Sequence, residues 1–413
     1  MSVTAFFASA LLIADLGLSS SSLALRPTLS PDAGGNAVPV HFEDPALEFE
    51  RSVDARDQVR VIIRLDDPSL WEQIVNLWRE GELIDVLDEG QGIVNQVGGT
   101  VERAGEVSAP LIGATLPREA VDQLIQMDIV EYVEVSQERS FESVTSRSVG
   151  TAASSPWGLD RIDQVTSELD GTYRYSTDGS GTLVYVLDTG IDVDNRSEFP
   201  ASRTEAFGVW GNSGGYVEDC DGHGTHVAGS AAGSSYGVAS GARIVSIKMG
   251  HPLYGCDDLG GSFGSAFAIE DVLSHHRQNG RPPAVVNMSF GGGYSESEAR
   301  GVQALQAAGI TVVAAAGNDN GDACSSYPAA LPGVITVGAT NDSDRRSSFS
   351  NWGSCLDIFA PGENIASARA GSDNHLSISG TSMAAPHVAG VVARYLGASQ
   401  NASPAQASRA IEG

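Results

Sequence analysis

The chain has 413 residues, of which 41% are hydrophobic and 18% charged, values typical of a globular protein with one large core and a smaller companion domain. With 24 Lys and Arg against 52 Asp and Glu, the net charge is −28, and no basic patch offers a nucleic acid a binding surface. Beyond the N-terminus no apolar run is long enough to span a bilayer, so neither a nucleic-acid nor a membrane partner is expected.

The first 25 residues are predicted to be a secretory signal peptide. An apolar run extends from Ala5 to Leu18 and is followed by Ser22-Leu23-Ala24, a plausible cleavage site, although Asp15 interrupts the run and no Lys or Arg precedes it. The four cysteines contain no C-x-x-C and are even in number, which favours disulfides and an oxidising compartment, with three pairings open. A secreted, extracellular protein is the prediction.

Residues 26–57 are rich in Pro, Gly and acids and are interpreted as a linker, and residues 58–140 as a small α+β unit. Within that unit the pattern predicts strands at 59–63 and 130–135, a helix opening at a capping box of Ser69 and Glu72, and a second helix over 117–127. A Ser/Thr-rich connector, residues 141–155, follows and is predicted to be exposed and easily cut.

Residues 156–413 alternate short apolar runs with helical stretches. The runs, bounded by Gly or Asp, predict parallel strands at 183–187, 242–248, 284–288, 311–315 and 334–337. The helical stretches lie at 225–232, 263–276, 295–308 and 383–396. This pattern predicts an α/β fold with a doubly wound parallel sheet, in which ligands collect at the carboxyl ends of the strands.

Four polar residues stand at places suited to catalysis. Asp188 closes a continuous apolar strand, His223 lies between glycines before a helix, Asn318 follows another strand, and Ser382 precedes the apolar helix that contains Pro386. We place Pro386 in the first turn of that helix, where its missing N–H has no intrahelical use.

Each of these residues also has an ordinary interpretation. Asp188 resembles the acid of a ribose site, but no G-x-G-x-x-G precedes it. His223 and His226 fit an H-x-x-H zinc pair, but lack the glutamate of the H-E-x-x-H motif. Asn318 suits a turn, and Ser382 a helix N-cap. Taken together, an acid, a histidine, an amide donor and a serine supply what serine-nucleophile chemistry needs.

The motifs around Asp188, His223 and Ser382 resemble those of the subtilase family of serine peptidases, especially its proteinase K and aqualysin branch. Residues 157–162 (WGLDRI) resemble that branch's mature N-terminal segment, and residues 287–293 resemble its substrate-binding strand, with Phe290 where Leu is usual. The likeness covers roughly residues 150–413. Residues 58–140 resemble the family's inhibitory propeptide more loosely, through 114–117 (ATLP) and 131–134 (EYVE).

The resemblance implies a serine endopeptidase with Ser382 as nucleophile, His223 as general base and then acid, and Asp188 orienting His223. Asn318 and the Ser382 N–H would form the oxyanion hole. The implied substrate-binding residues are Ser289, Phe290 and Gly291 as an added strand on one side, Gly260, Gly261, Ser262 and Phe263 on the other, and Ala314, Ala315, Ala316 and Gly317 in the wall of the S1 pocket. Small wall residues imply broad, apolar-tolerant specificity.

The resemblance also implies the disulfides Cys220–Cys256 and Cys324–Cys355. It implies structural calcium at two places but no catalytic cofactor, and oxygen ligands suit that cation. One set is Asp357 with the carbonyls of Pro332 and Val334; the other is Asp160, Asp163, Gln164 and Asp170. Solvated, capping or salt-bridged roles for these acids remain open. Members of the branch usually continue with another strand or hairpin, so the peptidase domain is expected to be short at its C-terminus.

Two functions follow as hypotheses from these patterns. In the first, the chain is a secreted, monomeric endopeptidase that acts on proteins and peptides, made as a self-processing zymogen whose own propeptide is its inhibitor. In the second, it is a catalytically impaired binding or inhibitory protein on the same fold. A third, a nucleotide-binding α/β protein, is disfavoured because no phosphate loop is present.

Overall fold

The computed structural model describes residues 58–65, 92–105, 111–127, 130–141, 144–150, 156–195, 197–210, 217–250, 256 and 259–412; for 144–150 it describes the backbone alone. The predicted signal peptide, the predicted linker and the helix expected to open at Ser69 lie outside the described residues.

An antiparallel sheet of four strands opens the described chain, in the order β2-β3-β1-β4. The strands are β1 (Gln58–Leu65), β2 (Thr100–Gly105), β3 (Leu111–Pro117) and β4 (Val130–Val135). The helix predicted over 117–127 is shorter: Pro117 ends β3, a 3-10 turn follows at Arg118–Ala120, and α1 is Val121–Ile125. Because proline restrains the backbone and carries no N–H, it is better placed at a strand end than inside this helix.

A parallel sheet of seven strands forms the centre of the larger part, in the order β14-β13-β12-β10-β7-β9-β8. Its strands are β7 (Leu183–Asp188), β8 (Thr204–Gly208), β9 (Arg243–Lys248), β10 (Ala284–Met288), β12 (Ile310–Ala315), β13 (Ile335–Thr340) and β14 (Ile358–Pro361). Continuous apolar runs occur in the sequence because both faces of this sheet are buried. The predicted α/β fold is confirmed.

Helices cover the two faces of the sheet. They are α2 (Trp157–Ile162), α3 (His223–Ala232), α4 (Gly261–Gln278), α5 (Glu296–Ala307), α6 (Thr381–Ala398) and α7 (Pro404–Glu412). One apolar core contains side chains of α4 and α5, and a second contains those of α3 and α6. Among the described residues, no helix combines the length and apolar composition needed to cross a bilayer.

Five further strands complete the described fold. β15 (Ile365–Arg369), β16 (Ser372–Ser379) and β6 (Val144–Gly150) form an antiparallel sheet in which β16 is central. β5 (Arg139–Phe141) pairs antiparallel with β11 (Phe290–Gly292). The predicted connector, residues 141–155, thus contains β6, which pairs with β16, and its first residue, Phe141, ends β5.

The four-stranded sheet packs on α4 and α5. The Arg60 guanidinium lies 5.0 Å from the Trp210 ring and 5.3 Å from the Phe263 ring, and Trp210 and Phe263 stack with centroids 4.9 Å apart. Ile62 and Leu111 of the small sheet belong to the same buried core as Phe263. The small sheet therefore docks through apolar area and cation–π contacts rather than through charge alone.

Two disulfides join Cys220 to Cys256 and Cys324 to Cys355. These are the pairs that the family resemblance implied, and they are confirmed. The cysteines of the first disulfide are 36 residues apart in sequence, and those of the second are 31 residues apart.

Candidate active site

Asp188 and His223 form a buried hydrogen-bonded pair at the carboxyl edge of the sheet. Asp188 is the last residue of β7 and His223 the first of α3. His223 Nδ1 donates to Asp188 Oδ1 at 2.8 Å, and the two residues are 3% and 1% exposed. Burial works to lower the pKa of His223, but the charge and hydrogen bond of Asp188, with the charges of Asp221 and Asp219, raise it above its ordinary value.

The second ring nitrogen of His223 is available for proton transfer. Nε2 is buried and has no hydrogen-bond partner within the described ranges. Because Asp188 holds the Nδ1–H, Nε2 is the atom that can accept a proton. The arrangement is that of an oriented general base.

Asp219 is a site residue that the sequence reasoning missed. Its Oδ1 accepts hydrogen bonds from Thr189 Oγ1 (2.9 Å) and Gly222 N (2.8 Å), and its Oδ2 from Thr225 N and Oγ1 (2.7 and 2.6 Å). It thereby ties the loop after β7 to the first turn of α3. The sequence gives only a weak signal for Asp219, because Glu218, Asp219 and Asp221 all precede Gly222 and no local pattern distinguishes the buried acid from the others.

Gly224 lets α3 approach β7 closely. A Cβ at this position would lie 3.1 Å from Asp188 Oδ1, tighter than real side chains normally pack. The glycine after His223 is therefore required by the distance between the acid and the histidine.

Ser382 is the second residue of α6 and is buried. Its Oγ donates to the carbonyl of Ser289 at 2.8 Å, so the hydroxyl lies beside the strand predicted to bind substrate. A serine here is surrounded by the unpaired N–H groups and the positive end of the helix.

Pro386 is not in the first turn, as the sequence analysis placed it. Helix α6 begins at Thr381, so Pro386 is its sixth residue and leaves the carbonyl of Ser382 without its helical N–H donor. The hydroxyl of Ser289 donates to that carbonyl instead, at 2.9 Å. A side chain from another strand thus compensates for the proline next to the candidate nucleophile.

Asn318 has the orientation that an oxyanion donor needs. Its Oδ1 accepts hydrogen bonds from Thr381 N (3.0 Å) and Thr381 Oγ1 (3.1 Å), which assigns the other end of the amide as nitrogen. In the described part of the chain, the buried Nδ2 has no partner. An unsatisfied amide donor beside the N-terminus of α6 is suited to a developing negative charge.

The small residues predicted to line a specificity pocket are the last two of β12 and the two that follow it. Ala314, Ala315 and Ala316 are fully buried, and Gly317 continues the chain to Asn318. Gly317 N donates to Thr381 Oγ1 at 3.2 Å, so this wall is joined to the start of α6.

The segment β5 occupies the predicted substrate strand. Phe141 lies opposite Phe290, Ser140 opposite Gly291, and Arg139 opposite Gly292. The rings of Phe141 and His223 stack with centroids 4.5 Å apart. The chain's own residues therefore lie in the cleft beside the candidate base.

Gly260, Gly261, Ser262 and Phe263, predicted to pair with substrate on the other side, form the start of a helix rather than an extended segment. Gly260 caps α4 and Gly261 begins it, both with positive φ (69° and 61°), so Ser262 and Phe263 belong to a helical first turn. That turn still contacts the small domain: Ser262 N donates to Gln137 O at 2.7 Å. Two adjacent left-handed residues turn the chain too sharply for strand pairing.

One predicted calcium set is brought together within residues 160–174. Asp160 accepts hydrogen bonds from Gln164 Nε2 and from the backbone N–H groups of Asp170 (3.3 Å) and Gly171 (2.8 Å). Asp163 Oδ1 is buried and has no partner among the described residues. Asp163 Oδ2 accepts a hydrogen bond from Arg174 N, and the exposed Asp170 pairs with the Arg174 side chain. In the part of the chain that the structure describes, there is no group of three or more His, Cys, Asp or Glu side chains placed to hold one metal ion.

The other predicted calcium set fits less well. The Asp357 carboxylate accepts a hydrogen bond from Thr336 N at 2.8 Å, and burial raises its pKa. The carbonyl of Pro332 already accepts Gln306 Nε2 at 2.9 Å. Val334 lies on the same loop, but Asp357 contributes one carboxylate only, which favours the first set as the stronger site.

His226 has a structural role here. Its Nε2 donates to the carbonyls of Ile365 and Leu376, each at 3.0 Å, and burial lowers its pKa to about 3. These bonds connect α3 to β15 and β16, so the second histidine of the H-x-x-H pattern serves packing between elements.

An Asp–His pair, a serine at a helix N-terminus and an unpaired amide at the carboxyl edge of a parallel sheet define a serine hydrolase site. Comparison with known proteins gives the family. The model of the Subtilase family matches residues 179–412. The chain belongs to this family and is a serine proteinase.

Curated relatives agree with this assignment. An extracellular serine proteinase of Thermus sp. (strain Rt41A) is 42% identical over 316 residues, which are 76% of this chain and 73% of the relative. Alkaline serine exoprotease A of Vibrio alginolyticus is 40% identical over 72% of this chain, which spans about half (54%) of that relative. A cuticle-degrading serine protease of Arthrobotrys oligospora is 43% identical over 61% of each chain.

Solved structures show the same fold. A cold-adapted subtilisin-like serine proteinase matches 62% of this chain and 90% of its own, with 42% identity and a TM-score of 0.56. Fervidolysin from Fervidobacterium pennivorans matches 85% of this chain and 56% of its own, with a TM-score of 0.63. At 23% identity, the second likeness concerns the fold alone.

Proposed function

We propose that the protein is a secreted serine endopeptidase made as a self-processing zymogen, in which residues 58–142 are the inhibitory propeptide. The observation that carries this proposal is the β5–β11 pairing, which lays a segment of the chain along Phe290–Gly292 with Phe141 on the His223 ring. A substrate bound as an added strand would take the same place.

The register supports one particular processing bond. The pairing ends with Phe141 opposite Phe290, one residue from Ser289, whose carbonyl is 2.8 Å from Ser382 Oγ. Glu142 and Ser143 themselves lie outside the described residues. The bond between them is the one we assign to self-cleavage.

In the proposed mechanism, Ser382 Oγ attacks the carbonyl carbon while His223 Nε2 takes the hydroxyl proton. Asp188 stabilises the imidazolium, and Asn318 Nδ2 with the Ser382 N–H holds the oxyanion. His223 then gives its proton to the leaving amine, and water repeats the sequence on the acyl-enzyme. No catalytic cofactor is required.

The substrates are proteins and peptides, and the pocket for the residue before the cleaved bond is broad and apolar-tolerant. Ala314, Ala315, Ala316 and Gly317 support this, since they add little bulk to its wall. The enzyme acts as a monomer, and its own propeptide is its inhibitor, docked on α4 and α5.

Calcium is proposed as a structural ion, held by Asp160, Asp163, Gln164 and Asp170. There it would supply positive charge to a carboxylate cluster and fix the loop that follows α2. The partnerless Asp163 Oδ1 supports this assignment.

The test compares the full chain with Ser382→Ala by intact mass and N-terminal sequencing over time. The wild type should lose the residues upstream of Ser143, while the variant stays whole. If both stay whole and folded, the self-processing proposal is wrong, and a binding or inhibitory protein on this fold becomes the better description. Cleavage of both at equal rates would remove Ser382 from the reaction.

A further inference from the structure

A fully buried ion pair lies in the cleft beside β11. The Arg139 side chain donates from Nη2 to Glu298 Oε2 at 2.9 Å and from Nε to Oε1 at 3.3 Å, and both side chains are 0% exposed. Arg139 Nη1 donates to the Glu138 carbonyl at 3.0 Å. Glu298 belongs to the first turn of α5, and its N–H is bonded to Ser295 Oγ at 3.1 Å.

The two partners of this pair belong to different parts of the proposed zymogen. Arg139 lies upstream of the assigned cleavage bond, on the segment that occupies the substrate strand, whereas Glu298 lies in the peptidase domain. Arg139 faces Gly292 and stands two residues before Phe141, so it is the fourth residue before the bond that follows Glu142. Glu298 therefore lines the subsite for the fourth residue before cleavage.

Gly292 leaves room for the guanidinium. A Cβ on Gly292 would lie 2.4 Å from the Glu138 carbonyl oxygen and 2.8 Å from Arg139 Nη1. The glycine therefore admits both the backbone of the bound segment and the guanidinium, while the preference for a cation comes from Glu298.

The charges around the subsite change when the propeptide leaves. Glu134, which faces the same helix turn, accepts hydrogen bonds from Ser297 N and Oγ, both at 2.8 Å, and belongs to the propeptide. Glu134 and Arg139 depart together, leaving the carboxylate of Glu298 in the cleft without its guanidinium partner. A carboxylate in such a place favours a new cation, because an unpaired buried charge is costly.

We propose that Glu298 is a specificity-determining residue that selects arginine as the fourth residue before the cleaved bond. The inference rests on the proposed function. Arginine is favoured over lysine because its Nε and Nη2 meet the two oxygens of one carboxylate, a fork that an ammonium group does not offer.

The test uses the self-processed wild-type enzyme and internally quenched fluorescent peptides with the sequence of residues 139–145. In these peptides alanine replaces Glu142, because the proposed pocket for that residue is apolar-tolerant. The peptides differ only at the first position, which is arginine, citrulline or leucine, and mass spectrometry verifies the cleaved bond. Citrulline keeps the shape of arginine without its charge. We expect kcat/KM for the arginine peptide to exceed that for citrulline by about 10-fold or more, and the ratio to shrink in 1 M salt.

Two enzyme variants identify the residue responsible. Glu298→Gln should bring the arginine-to-citrulline ratio close to one. Glu296→Gln is the matched control on the same helix turn; Glu296 bonds Tyr294 and Arg300 instead, and the variant should keep the ratio.

Equal rates for arginine and citrulline in the wild type overturn the inference, as does a ratio that survives Glu298→Gln. If Glu298→Gln does not mature, the wild-type comparison alone decides. Failure of the proposed function is a different result: no peptide of the set is cleaved, or a Ser382→Ala preparation cleaves them equally well.

Discussion

At the scale of single residues, the reactive groups of the candidate site are held in place by hydrogen bonds from their other polar atoms. Asn318 Oδ1 is occupied by Thr381, and His223 Nδ1 by Asp188, so Asn318 Nδ2 and His223 Nε2 are left for the reaction. Fixing one end of an amide or imidazole orients the other without further reorganisation.

Asn318→Ala should therefore slow turnover while leaving the fold intact. We expect kcat to fall by about 10²–10³-fold, the loss established for subtilisin itself when one oxyanion donor is removed, with KM little changed. Steady-state kinetics with a peptide substrate measure this, and circular dichroism checks the fold. Turnover near the wild-type rate would exclude Asn318 from the oxyanion hole.

At the scale of elements, β4 of the small domain meets the N-terminus of α5. The carboxylate of Glu134 accepts hydrogen bonds from Ser297 N and Oγ, and Tyr132 OH lies 3.1 Å from Ser297 Oγ. Burial raises the pKa of Glu134, and the bonds from Ser295 and Ser297 partly offset it. An acid from one domain thus caps a helix of the other, where the helix dipole favours negative charge.

Glu134→Ala should weaken inhibition by the propeptide after cleavage. Ser297 N–H would lose its acceptor at the domain interface, and a lost hydrogen bond to a charged group amounts to about 1.5–3 kcal/mol, or roughly 10-fold to 100-fold in affinity. The measurement is the lag between cleavage, followed by mass, and the appearance of activity. We expect a shorter lag.

The control for this prediction is Asp122→Asn, a change at an exposed acid on α1 of the same domain. It should leave the lag unchanged. An unchanged lag in Glu134→Ala would mean that the cap contributes nothing to inhibition.

At the scale of the whole molecule, the loop that follows α2 is tied to distant parts of the fold. Tyr173 OH donates to the Val238 carbonyl at 3.0 Å, and Arg394 of α6 donates to the Thr177 carbonyl at 2.7 Å. Of the proposed calcium residues, Asp163, Gln164 and Asp170 lie in this loop and Asp160 lies in α2. A bound ion there would stabilise the folded state by mass action.

Removing calcium should lower the melting temperature. With calcium at about 100 times its dissociation constant, binding contributes about 2.7 kcal/mol, which for a domain of this size corresponds to roughly 5–10 °C. Calorimetry of Ser382→Ala, which avoids autolysis, with calcium and then with a chelator measures the shift.

Adding Asp163→Asn to that protein should abolish the difference between the two conditions. Asp373→Asn, at an exposed acid outside the loop, should preserve it. Equal melting temperatures with calcium and with chelator would contradict the proposed ion.

The sequence by itself determined the fold class, five of the seven strands of the parallel sheet, four of the helices that cover it, and the candidate residues at Asp188, His223, Asn318 and Ser382. These follow from local patterns, because apolar runs define buried strands and polar residues at their ends mark the ligand edge. The two disulfides came from resemblance rather than from spacing.

Only the tertiary structure decided the contacts between residues far apart in the chain. No local sequence signal indicates three of these contacts. They are the hydrogen bonds of Asp219 to the loop after β7 and to α3, the bond from Ser289 to the carbonyl that Pro386 leaves without a donor, and the ion pair of Glu298 with Arg139. Left-handed conformations at Gly260 and Gly261 also place the residues predicted to pair with substrate at the start of a helix. The physical reason is the same throughout: a side chain's partner is chosen by packing, and packing joins segments that local propensity cannot relate.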